Sequence, residues 1–319
     1  MHAGSASAAV PRRFARTVSP AVFRRIAFAA VGVLILIVAT GATVRLTGSG
    51  LGCPHWPTCT TKHALPRGYH SDIEFSNRVV SAVTVFTTLV LALAAWRTLG
   101  LGRRGRWLAT AVFVGTLAQA PLGAITVYYD LNPYLVITHL LLSFTLVSLA
   151  VLTLVEASRL VRGSGAPLPG IARLGGVALA LAVIVLAVSG TAATAGGRFP
   201  GSSGSKIVPR LGSFKPEVYW HVRAVAAFGI VFLVLAAWAW TQRARYPWLW
   251  RGCIGLLAIL AAQMTIGEVQ YRTYGDVPWW LVLLHVAAAA TLVAWTVGLA
   301  GRLWRPIRDG DTPKLDRAT

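Results

Sequence analysis

The stretch Phe23–Val44, FRRIAFAAVGVLILIVATGATV, governs the architecture: beyond the Arg24–Arg25 pair it carries no charge until Arg45. At about 1.5 Å per residue, about 20 such residues cross the hydrocarbon core of a bilayer. The run is also longer than the roughly 7–15 apolar residues of a signal peptide, so it reads as a retained span. Seven further stretches have the same character. They lie near Glu74–Trp96, Trp107–Tyr128, Pro133–Ala157, Leu174–Thr194, Glu217–Thr241, Trp248–Tyr271 and Pro278–Leu303. The chain therefore reads as an all-α integral membrane protein with eight transmembrane helices.

Composition agrees. Of 319 residues, 55% are apolar and 13% charged, too few charges to coat a water-facing surface, which excludes a soluble enzyme. The net charge of +20 would suit a nucleic-acid partner if it formed one continuous face. Instead, twenty of the thirty Lys and Arg fall in short clusters beside alternate spans, which excludes nucleic acid and marks topology. Arg12, Arg13, Arg16, Arg24 and Arg25 precede the first span. Arg97, Arg103, Arg104 and Arg106 follow the second, Arg159, Arg162 and Arg173 the fourth, and Arg243, Arg245 and Arg251 the sixth. Arg302, Arg305, Arg308, Lys314 and Arg317 form the tail. Cytoplasmic loops hold the Lys and Arg excess, so both termini are expected inside, in the plasma membrane of the cell.

The halves repeat. Aligning Ala118–Gly123 (AQAPLG) with Ala262–Gly267 (AQMTIG) brings His139 close to His285 and Asn77 close to His221. Four spans per repeat give parallel repeats about an axis along the membrane normal, hence two pseudosymmetric four-helix bundles. The expected division is a cytoplasmic segment 1–22, an N-terminal bundle 23–157 with an outer loop 45–73, a cytoplasmic linker 158–173, a C-terminal bundle 174–303 and a cytoplasmic tail 304–319.

Of seven histidines, only His139, His221 and His285 lie within spans, each one to two turns below the outer surface. A lone intramembrane His is often a packing residue; three at one depth point to a site. His221 and His285 can face each other across the second bundle, as six-coordinate haem iron requires. Zinc is the rival, but closed zinc sites take four N or S ligands, and no Cys is near. Arg223 and the loop bearing Lys206, Arg210 and Lys215 can pair with propionates; ordinary solvated charge is the plainer account.

The first half is less regular. Asn77 stands where the second half has His221, which leaves His139 without a matching ligand, and His70 is a further candidate. Glu74 reads either as a carboxylate favoured by the helix dipole or as a general base over a reaction centre. Between the first two spans lies RLTGSGLGCPHWPTC, Arg45–Cys59. Cys53 and Cys59 fall on the oxidising side and can pair, with a loop-closure gain of about 2 kcal/mol. A staple and a redox-active pair are both open. Cys253 reads as a packing residue.

This loop, with IEFSNR (Ile73–Arg78) and the spacing of the three histidines, resembles the haem A synthase family over about Val31 to Leu303. The resemblance implies oxidation of a methyl group of haem O to a formyl group by two successive hydroxylations, giving haem A for terminal oxidase assembly. It implies haem B on iron held by His221 and His285, substrate haem held by His139, Glu74 as catalytic carboxylate and Cys53–Cys59 as an outer disulfide. Arg45, Arg78 and Arg223 would serve propionate or outer-face pairing. Haem O would be delivered by a haem O synthase, and the electrons would pass to a partner or a quinone. A second copy of the chain is a further partner to consider. Two departures stand out: the usual Glu-x-x-His is here Glu74-x-x-Asn77, and the second outer Cys pair of some members is absent from Ala195–Pro216. The rival readings are a quinone-linked haem B electron-transfer cytochrome and a transporter, the latter suggested by the repeat and by Pro121 within the third span.

Overall fold

The computed structural model describes residues 17–53, 55, 58–59, 65–203 and 208–308. Arg12, Arg13, Arg16, Lys206, Lys314 and Arg317 lie outside the described residues. The described chain forms eight helices: α1 (Pro20–Leu46), α2 (Tyr69–Arg97), α3 (Arg103–Tyr128), α4 (Pro133–Arg162), α5 (Gly170–Gly196), α6 (Phe214–Thr241), α7 (Pro247–Arg272) and α8 (Trp279–Trp304). All eight are long and apolar enough to span a membrane, and among the described residues pairing outside helices is limited to three isolated bridges. The protein is a multi-pass membrane protein.

Several helices outrun their apolar stretches. α2 starts at Tyr69 rather than Glu74, and α4 continues to Arg162 rather than Ala157. The reason is physical: 26–30 residues make a rod of about 40 Å, longer than the ~30 Å hydrocarbon core, so polar turns continue into the headgroup layer. Local signals set the ends. Pro20 and Pro133 open α1 and α4 with the fixed backbone angle of a first-turn proline. Ser19 and Asn132 before them accept from the free amides of Val22 and Tyr134. Pro121 sits inside α3 without ending it.

Large side chains point outward along the spans: Phe28, Phe86, Ile230 and Val234 are each about two-thirds exposed, as lipid-facing residues should be. Within the molecule, α1, α2, α3 and α4 pack on one another, as do α5, α6, α7 and α8, and the two groups meet through α1 and α4 against α8, with α4 also against α5. One buried cluster runs through Phe23, Leu34, Val112 and Leu146, the other through Leu179, Phe228, Leu256 and Leu303, with Val38 and Phe144 crossing over to join the second.

Both ends of the molecule are pinned. Where α1 leaves off, Gly50 N–H donates to the Gly201 carbonyl at 2.8 Å and Ser203 N–H to the Gly48 carbonyl at 2.9 Å. A Cβ on Gly50 would lie 2.8 Å from that Gly201 oxygen, so only glycine permits the approach. At the opposite end, Glu156 of α4 is shared by Arg305 at 3.1 Å, Arg159 at 3.4 Å and Arg104 at 3.5 Å. Removing the one anion among these cations leaves poorly solvated charge behind. Glu156→Gln is expected to destabilise the protein by about 1–3 kcal/mol, read as a lower thermal midpoint in detergent; an unchanged midpoint would show the cluster to be inert.

Candidate functional site

A cavity of about 750 Å³ opens among α5, α6, α7 and α8, closed on one flank by Leu140 and Phe144 of α4 and by Arg45 at the end of α1. Its size falls within the roughly 300–1,000 Å³ of cofactor and ligand sites. The walls are apolar and aromatic, and cations stand in the lining: Arg45, Arg198 and Lys215, with Glu268 the one acidic neighbour there. An apolar pocket with cations among its walls suits a flat hydrophobic molecule that carries carboxylates.

His221 and His285 both line this cavity, their ring centroids 6.5 Å apart and their planes at 83°. Metal–imidazole bonds of about 2 Å, plus about 1 Å from each nitrogen to its ring centre, would separate two ligating imidazoles by about 6 Å. The observed spacing therefore fits a metal held between them. Among the described residues no group of three or more His, Cys, Asp or Glu could hold a metal ion. A two-imidazole set is incomplete for zinc and sufficient for iron whose other four ligands come from a porphyrin.

Local packing sets each ring. Gln263 Nε2 of α7 donates to the His285 carbonyl at 3.1 Å, while His285 Nδ1 and Gln263 Oε1 are buried without a hydrogen-bond partner. His139 of α4 repeats the arrangement: Gln119 Nε2 of α3 donates to its carbonyl at 3.1 Å, and His139 Nδ1 and Gln119 Oε1 are likewise buried and unpartnered. Buried polar atoms without partners are rare, and their presence on the imidazoles marks these positions as built for something other than packing. The chain places His139 away from the lining of the cavity, although its neighbour Leu140 belongs to it.

Asn77 is engaged rather than vacant, its Oδ1 accepting from the Thr40 hydroxyl of α1 at 2.8 Å. His70 spends both ring nitrogens on hydroxyls, Nδ1 with Ser49 and Nε2 with Ser203, each at 3.0 Å. It ties the two halves together, both ring nitrogens being engaged by hydroxyls.

Glu74 is buried, 5% exposed. Its Oε2 accepts from the Cys53 amide at 2.8 Å and its Oε1 pairs with Arg78 at 2.6 Å. Arg78 reaches on to the carbonyls of His55 and Thr58, and Cys53 is disulfide-bonded to Cys59. The carboxylate, the guanidinium and the disulfide loop are thus one clasp. The three arginines singled out in the sequence part company: Arg45 lines the cavity and donates to the Thr194 carbonyl at 3.2 Å, Arg78 serves the clasp, and Arg223 lies over the Tyr219 and Trp220 rings outside the lining. Cys253 is buried in the second cluster, as a packing residue would be.

A family model described as cytochrome oxidase assembly protein, COX15-CtaA, matches residues 24–73 and 68–297. The chain belongs to the COX15-CtaA family. It is 27% identical over 251 residues to a Heme A synthase of Geobacillus kaustophilus, covering 74% of this chain and 78% of that protein. It is 33% identical over 132 residues to a Heme A synthase of Bacillus pumilus, covering 40% of this chain and 43% of that one. A Protoheme IX farnesyltransferase of Thermus thermophilus is 30% identical over 290 residues, 83% of this chain and 46% of its own length. The chain thus spans most of the first relative and under half of the other two.

Sequence reasoning missed Arg198, Gln119, Gln263 and Ser189 in this COX15-CtaA member. The two glutamines were within reach, since both fall in the repeated AQ pair that aligned the halves. Arg198 carries no such signal. Because Glu74 is anchored through the Cys53 amide, replacing Cys53 and Cys59 by Ser is expected to lower stability by about 2 kcal/mol, read by thermal unfolding in detergent. No change would mean the loop holds its place without the cross-link.

Proposed function

We propose that this chain is a haem A synthase: two successive two-electron oxidations hydroxylate one methyl carbon of haem O, the resulting hydrate loses water to leave the formyl group, and the four electrons pass to an electron-transfer partner or a quinone. The supporting observation is the His221–His285 pair, 6.5 Å apart in an apolar cavity, in a chain whose relatives include proteins named Heme A synthase. His221 and His285 would hold haem B, and His139 would hold the substrate haem in the N-terminal half, 23–157. The C-terminal half, 174–303, carries the resident haem. The matching contacts of Gln119 with His139 and of Gln263 with His285 support reading the halves as parallel repeats. The arginine clusters support both termini, with the linker 158–173, on the cytoplasmic side of the plasma membrane.

Haem B, when bound, supplies one-electron redox chemistry. The chain's own residues do the rest. Apolar walls around His221 and His285 exclude water. Arg45, Arg198 and Lys215 give carboxylate side arms a cationic partner. Arg78 and the Cys53 amide hold the Glu74 carboxylate still, which would fix the position of the proposed catalytic carboxylate. Haem O would come from a haem O synthase; a relative named Protoheme IX farnesyltransferase supports that neighbour.

The test is pyridine haemochrome analysis of purified protein from cells that make haem O. His285→Ala is expected to lose b-type haem, whereas His139→Ala keeps it and loses haem O and haem A. Full pigment in both variants would overturn the ligand assignment. Protein that binds b haem yet never converts haem O would instead be the quinone-linked cytochrome. Asn77→His, beside Thr40, is expected to complete a two-imidazole site in the first half, read as additional low-spin haem; unchanged spectra would place Asn77 away from the substrate iron.

A further inference from the structure

Ser189 lies on α5, outside the ligand set described above, yet its hydroxyl sits 3.1 Å from His221 Nδ1. The same oxygen donates to the Leu186 carbonyl at 3.0 Å. A hydroxyl has a single proton, and a carbonyl has none to give. Assigning that proton to Leu186 makes the contact to His221 an N–H donating to oxygen. The imidazole then carries its proton on Nδ1 and leaves Nε2 bare. The ring is also held close against the helix: a Cβ on the next residue, Gly190, would stand 3.1 Å from His221 Cε1 and 3.4 Å from Nδ1, so the glycine lets the imidazole rest on α5.

We propose that Ser189 is a positioning residue that fixes His221 in the iron-ligating tautomer and orientation. This rests on the reading of His221 and His285 as the haem B ligands. A ligating imidazole whose other nitrogen donates a hydrogen bond is a stronger donor and a better-oriented one. The two axial ligands are then unequal by construction, because His285 Nδ1 is buried with no such acceptor. The first half also sets a helix hydroxyl against the matching position, but in the opposite sense: the Thr40 hydroxyl of α1 donates to Asn77 Oδ1 of α2. Threonine keeps a hydroxyl on the same Cβ and is the conservative substitute for Ser189.

The experiment compares full-length holoprotein carrying Ser189→Ala, Ser189→Thr or His221→Ala, reading the rate of b-haem loss to an apo-globin acceptor and the haem midpoint potential. Ser189→Ala is expected to lose haem about tenfold faster or more and to shift the potential upward, since a weaker donor favours ferric iron less. Ser189→Thr is expected to restore both. Complete loss of pigment in Ser189→Ala with full retention in Ser189→Thr equally supports the positioning role. If His221→Ala lacks pigment but Ser189→Ala matches wild type in rate and potential, the tautomer role fails and the ligand assignment stands. An altered Ser189→Ala that Ser189→Thr does not rescue also overturns it. If His221→Ala keeps its pigment, both ideas fall together.

Discussion

Two imidazoles set into an apolar cavity within a bilayer-spanning bundle dictate how the remaining elements are arranged. Burying an imidazole nitrogen without a partner, as at His285 Nδ1, costs free energy. Leu or Phe at either position would fill the space more cheaply. A ring spacing of 6.5 Å is compatible with one metal ion between the two imidazoles, which is where the proposed haem B would sit. The apolar walls and the cations of the lining would suit the rest of such a group, broad, apolar and carrying carboxylates.

Neighbouring helices hold those rings still. α5 supports the His221 ring through Ser189 and Gly190, and on α7 Gln263 holds the His285 backbone carbonyl while Gly267 lets the His285 ring lie close. α4 and the end of α1 close the flank, so the second half's cavity is completed by the first half. That dependence explains why the connections after α1 and α5 are stitched together through Gly50, Gly201, Ser203 and His70. Glu74 and Arg78 then fasten the disulfide loop beside this stitch. Loosening the seam would loosen the cavity, although neither Glu74 nor His70 lines it.

Much of this was legible in the sequence, for a definite reason. A bilayer admits few ways to bury a backbone, so eight apolar runs dictate eight helices, and a histidine's distance from the end of its run gives its depth. Helix ends were less legible, because hydrogen bonding continues into the headgroup layer where hydropathy has already fallen, as at Tyr69 and Arg162. Direction around the helix axis was harder still. Arg45 and Arg223 look alike in sequence, yet one faces the cavity and the other stacks on Tyr219 and Trp220. Ser189 gave no sign of its own, since serines in spans routinely bond their own helix carbonyls.

Electron paramagnetic resonance of the oxidised pigment reads the two-imidazole site itself. Rings at 83° to one another predict a strongly anisotropic low-spin ferric signal, characteristic of two nearly perpendicular axial imidazoles. In the His139→Ala protein, which is expected to carry b haem alone, a high-spin signal, or a rhombic low-spin signal from parallel planes, would be incompatible with the geometry from which the function is argued.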